Sequence, residues 1–204
     1  MLLEMHCHTL RHSPCSDVDP VTLVRLAMKR GLGGIVLTEH HYLWQEDQLR
    51  WLKKKSRAGK DFLILSGQEV GTDKGHVLVY GADKTIDEIF TMEELREGFP
   101  RAALVWAHPF RWHGCPTDEE LTSPLFDGIE VLNSNQSPGE NSLSLDSWKR
   151  LSFNAIGGSD THSKDQAATF PTRFEKAIET MEDLVREIKA RRCKPAERNL
   201  YTLS

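Results

Sequence analysis

The sequence lacks the features that would place the chain in a membrane or in a secreted, disulfide-stabilised fold. Its four cysteines are scattered without a CxxC pair, which argues against a disulfide framework and against a structural zinc site. No apolar run approaches the roughly 18 residues that a membrane span needs. The first residues reach Glu4 and His6 too early for a signal peptide. We therefore expect a cytoplasmic protein without membrane contact.

An excess of positive charge is also missing. Lysine and arginine total 26, aspartate and glutamate total 30, and the formal net charge is -4. Proteins that bind nucleic acid nonspecifically usually carry a basic face. The run Lys53-Lys54-Lys55 is better interpreted as the solvated side of a helix. Nucleic acid is therefore a disfavoured partner, and a small molecule is the stronger expectation.

The length of 204 residues suits one domain with a real core and is short for two. We expect a single domain over residues 1–204 that ends in a short helical region. Short apolar runs, which predict strands, alternate with amphipathic stretches, which predict helices. The predicted strands cover residues 2–5, 34–38, 62–65, 76–80, 102–107, 128–132 and 154–158. The predicted helices cover residues 20–30, 45–57, 92–98, 118–121, 143–151 and 181–191.

Capping signals support two of these helices. Asp19 precedes Pro20 at the start of the first helix, and Thr180 with Asp183 forms a capping box at the start of the last. Strands separated by helical stretches indicate a parallel α/β sheet, and about seven strands suit a barrel.

Polar side chains of the types that can bind metals follow directly after the apolar runs. His6 and His8 end the first predicted strand, and four more residues follow later strands. They are His40, Glu69, His108 and Asp160, with His162 two residues further on. In a barrel the C-terminal ends of the strands lie on one face, where active sites are built. The placement therefore predicts that residues distant in sequence converge in space.

The residue types suit a metal site. His6 and His8 are two apart on a strand, so both side chains point to one side while Cys7 points away. Adding Glu69 and Asp160 provides the mixed nitrogen and oxygen set that suits zinc, manganese or iron. Each motif alone has an ordinary structural explanation, such as a turn or a helix cap. Their joint occurrence at successive strand ends favours metal ligation.

Six segments resemble, in order and across nearly the whole chain, the motifs of the PHP (polymerase and histidinol phosphatase) superfamily. They are His6-Cys7-His8-Thr9, Thr38-Glu39-His40, Gly67-Gln68-Glu69, Gly75-His76, Ala107-His108-Pro109-Phe110 and Gly158-Ser159-Asp160-Thr161-His162. The family motif usually reads T-D-H at the second segment, where this chain has Glu39. That acid is not a principal ligand, so the departure is mild.

The resemblance implies a distorted (β/α)7 TIM-like barrel that holds two or three divalent ions, either manganese, iron or zinc. By this resemblance, a first ion is held by His6, His8, Glu69 and Asp160. A second ion is held by His40 and His162 together with a ligand from the loop after the first strand. Glu69 bridges to a third ion, which His76 and His108 also hold.

The loop ligand of the second ion is open at the level of sequence. His12 is the favoured candidate, because some members of the family place a histidine there. Asp17 and Cys15 lie in the same loop and are the alternatives. His41 and His113 match no ligand position, and we expect them to be solvated or to support other residues.

The implied reaction is hydrolysis of a phosphate monoester or diester by water that the metals activate. Glu69, Asp160 and His162 would hold the reactive ions, and Arg111, just after His108, would contact phosphoryl oxygens at the rim. The expected partner is a small phosphorylated substrate, either a nucleotide or another phosphoester.

Two alternative functions have less support from the sequence. A metal-dependent amidohydrolase also uses an HxH motif, but commonly bridges its metals with a modified lysine. Here the bridging position carries Glu69, and the nearest lysine, Lys74, lies in a predicted loop. A non-catalytic PHP module that binds a partner would be expected to have lost ligands, and none is missing.

Overall fold

The structure is a computed structural model, and it describes residues 1–87 and 91–196. The strands are β1 (Leu2–Glu4), β2 (Gly34–Leu37), β3 (Leu63–Ser66), β4 (Gln68–Thr72), β5 (Gly75–Tyr80), β6 (Ala103–Trp106), β7 (Gly128–Leu132), β8 (Ala155–Gly157), β9 (Thr172–Phe174) and β10 (Cys193–Pro195). The helices are α1 (Pro20–Lys29), α2 (Glu46–Ser56), α3 (Met92–Gly98), α4 (Asp118–Leu121), α5 (Pro138–Leu151) and α6 (Met181–Lys189). The expected domain boundary at residue 204 lies outside the described residues.

The strands form two mixed sheets of five strands each. The first has the order β10-β9-β1-β2-β3, with β1, β2 and β3 parallel and β9 antiparallel to both of its neighbours. The second has the order β4-β5-β6-β7-β8, in which β5 is antiparallel to β4 and β6, and the last three strands are parallel.

The predicted (β/α)7 TIM-like barrel is wrong for this chain. Within residues 1–87 and 91–196 the strands make two sheets and no closed barrel. The repeating parallel order breaks where β4 reverses direction through a two-residue turn at Asp73 and Lys74 into β5. It breaks again where β1 takes the antiparallel β9 as its second neighbour. Parallel neighbours need a crossover connection, which a tight hairpin cannot provide.

Two isolated bridges and a shared core bring the sheets together. His40 pairs with Glu69, and Cys7 pairs with Thr161, each as a single parallel bridge. A buried apolar cluster draws on strands or strand ends of both sheets and on α6. It includes Leu3, Met5, Val36, Leu78, Val105, Ile156 and Leu184. The ends of β1, β2, β6 and β8 therefore face a common centre.

Local signals located most helices well. Asp19 caps α1 by accepting from the backbone N–H of Thr22, and Thr180 caps α6 as expected. The predicted helix at 143–151 is wrong at its start, since α5 begins five residues earlier at Pro138. Ser137 and Glu140 form its capping box. The buried positions of α5 are polar, so hydrophobic periodicity gave no signal for its first turns.

Strands β4, β9 and β10 were not predicted. Each is short or polar: β9 and β10 have three residues, and β4 contains Gln68 and Glu69. Among the described residues, no helix combines the length and the apolar character needed to cross a bilayer.

Candidate metal centre

The end of β1 presents two histidines to the common centre. His6 and His8 are fully buried, and their Nε2 atoms lie 3.1 Å apart. Cys7, between them, packs in a separate apolar cluster with residues of α1 and α2. The predicted placement of the two imidazoles on one side, with the thiol on the other, is confirmed.

Glu69 and Asp160 complete a four-ligand cluster with these histidines. Nε2 of His6 lies 3.4 Å from Oε2 of Glu69 and 3.4 Å from Oδ1 of Asp160. For His8 the same distances are 3.1 and 3.2 Å. Four ligands about 2.0 Å from a tetrahedral ion lie roughly 3.3 Å from one another. The spacing of these atoms therefore fits one divalent ion.

The two oxygens of Glu69 face different clusters. Oε2 belongs to the four-ligand cluster, whereas Oε1 lies 2.9 Å from Nδ1 of His76 and 3.2 Å from Nε2 of His108. We call Glu69, His76 and His108 the bridging cluster, because it shares a carboxylate with the four-ligand cluster. Glu69 was expected to follow a strand. It lies instead within β4, and the antiparallel hairpin with β5 places His76 beside it.

The electrostatics of the centre hold both carboxylates ionised. Burial opposes ionisation of Glu69, but the charge of His6 and the hydrogen bond from His108 hold its pKa well below the usual value. Burial likewise opposes ionisation of Asp160, and His6 and His8 hold its pKa well below the usual value. Ionised carboxylates are the form that binds divalent ions.

A third group contains His8, His40 and His162, whose ligand atoms lie within 4.8 Å of one another. The rings of His8 and His40 stack with centroids 4.4 Å apart. Burial lowers the pKa of His40 to about 4 and lowers that of His162 below its usual value. Both imidazoles are therefore neutral near pH 7, which is the form that ligates metal.

None of the three groups found within the described residues includes His12. Its ring stacks on Tyr42 at 3.7 Å and meets Trp44 edge-on. Its Nε2 atom is buried without a hydrogen-bond partner, and burial lowers its pKa. Of the two alternatives, Asp17 and Cys15 are both exposed. The role of His12 as a ligand stays a prediction.

Glu130 is a buried residue of the centre that the sequence reasoning missed. It lies in β7 and is fully buried. Its carboxylate accepts from Nδ1–H of His6 at 2.9 Å, from the backbone N–H of His108 at 3.0 Å and from Nδ2 of Asn133 at 2.8 Å. An acid inside the apolar run at 128–132 was the available signal, because a buried charge requires partners.

Gly158 makes room for the contact between Glu130 and His6. A Cβ atom there would lie 2.1 Å from Oε1 of Glu130 and 2.5 Å from Cβ of His6. Such distances leave no space for any side chain. The Gly-Ser-Asp segment therefore serves two purposes: it carries Asp160, and it allows Glu130 to reach His6.

Glu4 and Glu39, also missed as supporting residues, hold the loops of the centre. Glu4 accepts from the backbone N–H of Ser159 at 2.8 Å, and burial raises its pKa to about 7. Glu39 accepts from the backbone N–H of Thr9 at 2.9 Å and from Oγ of Ser13 at 2.6 Å. Glu39 thus fixes the loop after β1.

Arg111 reaches the four-ligand cluster from the rim. Its Nη1 donates to Oδ2 of Asp160 at 3.1 Å, and its Nε is buried without a partner. His41 and His113 lie outside the three groups found in the described chain. Nδ1 of His41 forms a hydrogen bond with the carbonyl oxygen of Ile86. His113 is exposed, and its backbone N–H donates to Glu140.

Two candidate ligands occupy strained backbone positions. His108 has a φ of 33° and Asp160 a φ of 48°, in the region that residues with side chains rarely adopt. Such conformations persist where the surrounding structure enforces them, and they cluster at functional sites. The hydrogen bonds from the backbone N–H of His108 to Glu130 and of Asp160 to the carbonyl of His6 provide that enforcement.

Comparison with known proteins places the chain among related folds. Residues 138–193 match the family model described as PHP-associated. No curated protein matches the sequence. Among solved structures, the chain is similar to PsfC from Pseudomonas syringae, with a TM-score of 0.71 and 19% identity over 97% of this chain and 91% of that one.

Two further structures are similar. One is a protein from Bifidobacterium adolescentis assigned as a metal-dependent phosphoesterase, with a TM-score of 0.59 and 18% identity over 93% of this chain and 96% of that one. The other is an amidohydrolase from Chromobacterium violaceum with bound sulfate and no metal, with a TM-score of 0.63 and 14% identity over 96% and 97%. At these identities the likeness shows a shared fold.

Proposed function

We propose that this chain is a member of the PHP superfamily and a metal-dependent hydrolase that cleaves phosphate esters. The proposal rests mainly on the position of Glu69. Its two carboxylate oxygens face two different groups of ligand atoms. A carboxylate shared in this way is suited to hold two ions side by side. The fold is shared both with a structure assigned as a phosphoesterase and with an amidohydrolase, so the choice of reaction rests on the ligand groups.

The residues of the three groups would hold the ions. His6, His8, Glu69 and Asp160 would hold one ion, and Glu69, His76 and His108 another. His40 and His162 would contribute to a third, with His8 or His12. The proposed ions are manganese, iron or zinc, which accept mixed nitrogen and oxygen ligands. Bound divalent ions would supply a water of lowered pKa and positive charge for the phosphoryl oxygens.

The chain's own residues prepare this reaction in two ways. Glu130 accepts from Nδ1–H of His6, so that Nε2 of His6 faces the four-ligand cluster as the nitrogen that would bind the ion. Nη1 of Arg111 donates to Asp160, and its Nε–H has no partner and can donate a hydrogen bond to a phosphoryl oxygen. We therefore assign Arg111 the role of holding the substrate phosphate.

A small phosphoester is the proposed substrate. The net charge of -4 does not favour a polyanion such as nucleic acid. The amidohydrolase alternative has less support, because the nearest lysine, Lys74, points its Nζ toward Glu120 at 3.8 Å. The position that would bridge two ions is occupied by Glu69 instead of a lysine.

Turnover of a panel of phosphoesters by metal-replaced protein tests the proposal. Protein stripped of metal is reloaded with manganese, iron(II), zinc or cobalt, and mono- and diesters are assayed beside amides. We expect phosphoester hydrolysis with at least one ion, and loss of it in Asp160→Ala. His113→Ala is the matched control, because this exposed histidine lies outside the three groups. Hydrolysis of amides alone, or of nothing by protein that retains its ions, would refute the proposal.

A further inference from the structure

We propose that a cavity beside the bridging cluster binds the organic group of the substrate, and that this group carries a flat aromatic ring that stacks on Trp112. The inference rests on the proposed phosphoester hydrolysis for the bond that is cut. The ring-binding site itself rests on the cavity, on the exposure of Trp112 and on the position of Arg111.

The cavity adjoins the candidate ligands directly. It has a volume of about 210 Å³, and its lining includes His76, His108, Lys74, Arg111 and Trp112. A cavity of about 150 Å³ holds a benzene ring, so this one has room for a flat aromatic ring. Because His76 and His108 both contact Glu69, a group in the cavity lies beside the bridging cluster.

Trp112 is held away from the core. Its side chain is 78% exposed, the highest value among the exposed large hydrophobic residues of the described chain. Trp112 and His113 both have a positive φ, of 55° and 62°, which is unusual for bulky residues. The turn is anchored by His113, whose backbone N–H donates to Oε1 of Glu140 at 2.9 Å.

Gly114 is also required by this turn. A Cβ atom at Gly114 would lie 2.3 Å from the carbonyl oxygen of Pro109. The backbone therefore closes tightly between Pro109 and Gly114, and the indole of Trp112 within this turn is exposed to the solvent. An exposed indole in an anchored turn at the mouth of a cavity is a surface on which a flat ring can stack.

Arg111 connects the ring site to the candidate metal centre. Its guanidinium lies 4.6 Å from the centre of the Trp112 ring and also donates to Asp160. Its Nε is buried without a partner. A ligand with a negative group and an attached ring would satisfy this donor and cover the indole together. Such a ligand is an aromatic phosphoester, and the ring comes either from a nucleotide base or from a simple aryl group.

Binding of phosphonates, which cannot be hydrolysed, tests the inference on the full-length, metal-loaded protein. Isothermal titration compares phenylphosphonate, the 5′-methylenephosphonate of adenosine and propylphosphonate. We expect the two ring compounds to bind more tightly than the alkyl compound. Stacking of a base on an aromatic side chain predicts that Trp112→Ala weakens ring binding by about 5- to 150-fold. Trp112→Phe should retain most of the affinity.

The matched control is Trp51→Ala, a partly exposed tryptophan of α2 that does not line the cavity. It should leave every affinity unchanged. Tighter binding of the adenosine compound than of phenylphosphonate identifies a nucleotide base, and the reverse order identifies an aryl group. Either order supports the ring site. Equal binding of ring and alkyl compounds, or an unchanged affinity in Trp112→Ala, overturns it.

The two proposals fail in different ways. If phenylphosphonate binding depends on Trp112 but no phosphoester is hydrolysed, the proposed reaction is wrong and the ring site stands. If alkyl and aryl phosphates are hydrolysed equally by the wild type and by Trp112→Ala, the ring site is wrong and the reaction stands.

Discussion

Nδ1 of His6 lies 2.9 Å from Oε1 of Glu130, and neither side chain is exposed to solvent. A carboxylate oxygen accepts here, so Nδ1 of His6 carries a proton, and Nε2 is the nitrogen that would bind an ion of the four-ligand cluster after losing its own proton. The same carboxylate accepts from the backbone N–H of His108. Glu130 therefore positions candidate ligands of two clusters at once.

Changing Glu130 should weaken metal binding without removing a ligand. Glu130→Ala is expected to lower the affinity for the tightest ion by about 10- to 100-fold, the usual effect of losing such a partner. Glu130→Gln keeps an acceptor for His6 and should lose less. Competition with a calibrated chelator measures the affinities, and nitrogen NMR of His6 reports which ring nitrogen is protonated. Unchanged affinity and an unchanged tautomer in Glu130→Ala would contradict the assignment.

Asp160→Ala should abolish most turnover. The change removes a carboxylate oxygen that lies 3.2 Å from Nε2 of His8, and also the acceptor of Arg111. We expect a loss greater than about 100-fold, since loss of a supporting partner alone costs 10- to 100-fold. His113→Ala should stay within a few-fold of the wild type. Equal losses in the two variants would show that the assignment of ligands is wrong.

The ion that His40 and His162 would hold can be tested by stoichiometry. We expect His12→Ala and His40→Ala each to lower the metal content by about one ion per chain, because each would remove an imidazole ligand. The buried, unpaired Nε2 of His12 supports this expectation. Elemental analysis of dialysed protein is the measurement. Loss in His40→Ala alone would leave His8, His40 and His162 as the ligands, and Asp17→Ala would then test the other loop candidate.

Removal of metal should destabilise the fold. An ion present at about 100 times its Kd stabilises the native state by about 2.7 kcal/mol. For a chain of this size that corresponds to a rise in Tm of about 5–10 °C. Differential scanning calorimetry with and without chelator measures the shift, and Asp160→Ala should show much less of it. An equal shift in that variant would locate the stabilising ion elsewhere.

An ion pair between the buried Glu187 of α6 and the partly exposed Arg192 should make stability depend on pH. Nε and Nη2 of Arg192 donate to the two oxygens of Glu187 at 2.6 and 2.7 Å. These hydrogen bonds from Arg192 lower the pKa of Glu187 from 4.5 to about 2. A carboxylate with a lowered pKa stabilises the fold above its unfolded value, and that stabilisation is lost as pH falls toward 2.

Glu187→Gln removes the carboxylate whose protonation would cause this pH dependence. In metal-free protein, the wild type should have a higher Tm than Glu187→Gln at pH 6, and the difference should shrink as pH falls below about 4.5. Thermal unfolding followed by circular dichroism at several pH values measures it. A difference that stays constant down to pH 3 would show that Glu187 is not the titrating group.

Much of the candidate centre was predictable from the sequence, because strand geometry is local. Residues two apart on a strand share a side, so His6 and His8 had to face together with Cys7 opposite. The positions of His40, His108 and Asp160 after apolar strands also indicated convergence. These inferences need only the period of the strand and the common direction of parallel strand ends.

The pairing of strands, by contrast, was decided only by the tertiary structure. β4 is polar at Gln68 and Glu69 and β9 has only three residues, so neither forms an apolar run from which the hairpin of β4 with β5 or the pairing of β1 with β9 could be predicted. Those two pairings replace the expected barrel with two sheets, and the hairpin brings His76 to Glu69. The role of Glu130 was hidden for a related reason: its charge is tolerable in a buried strand only because His6, distant in sequence, packs against it.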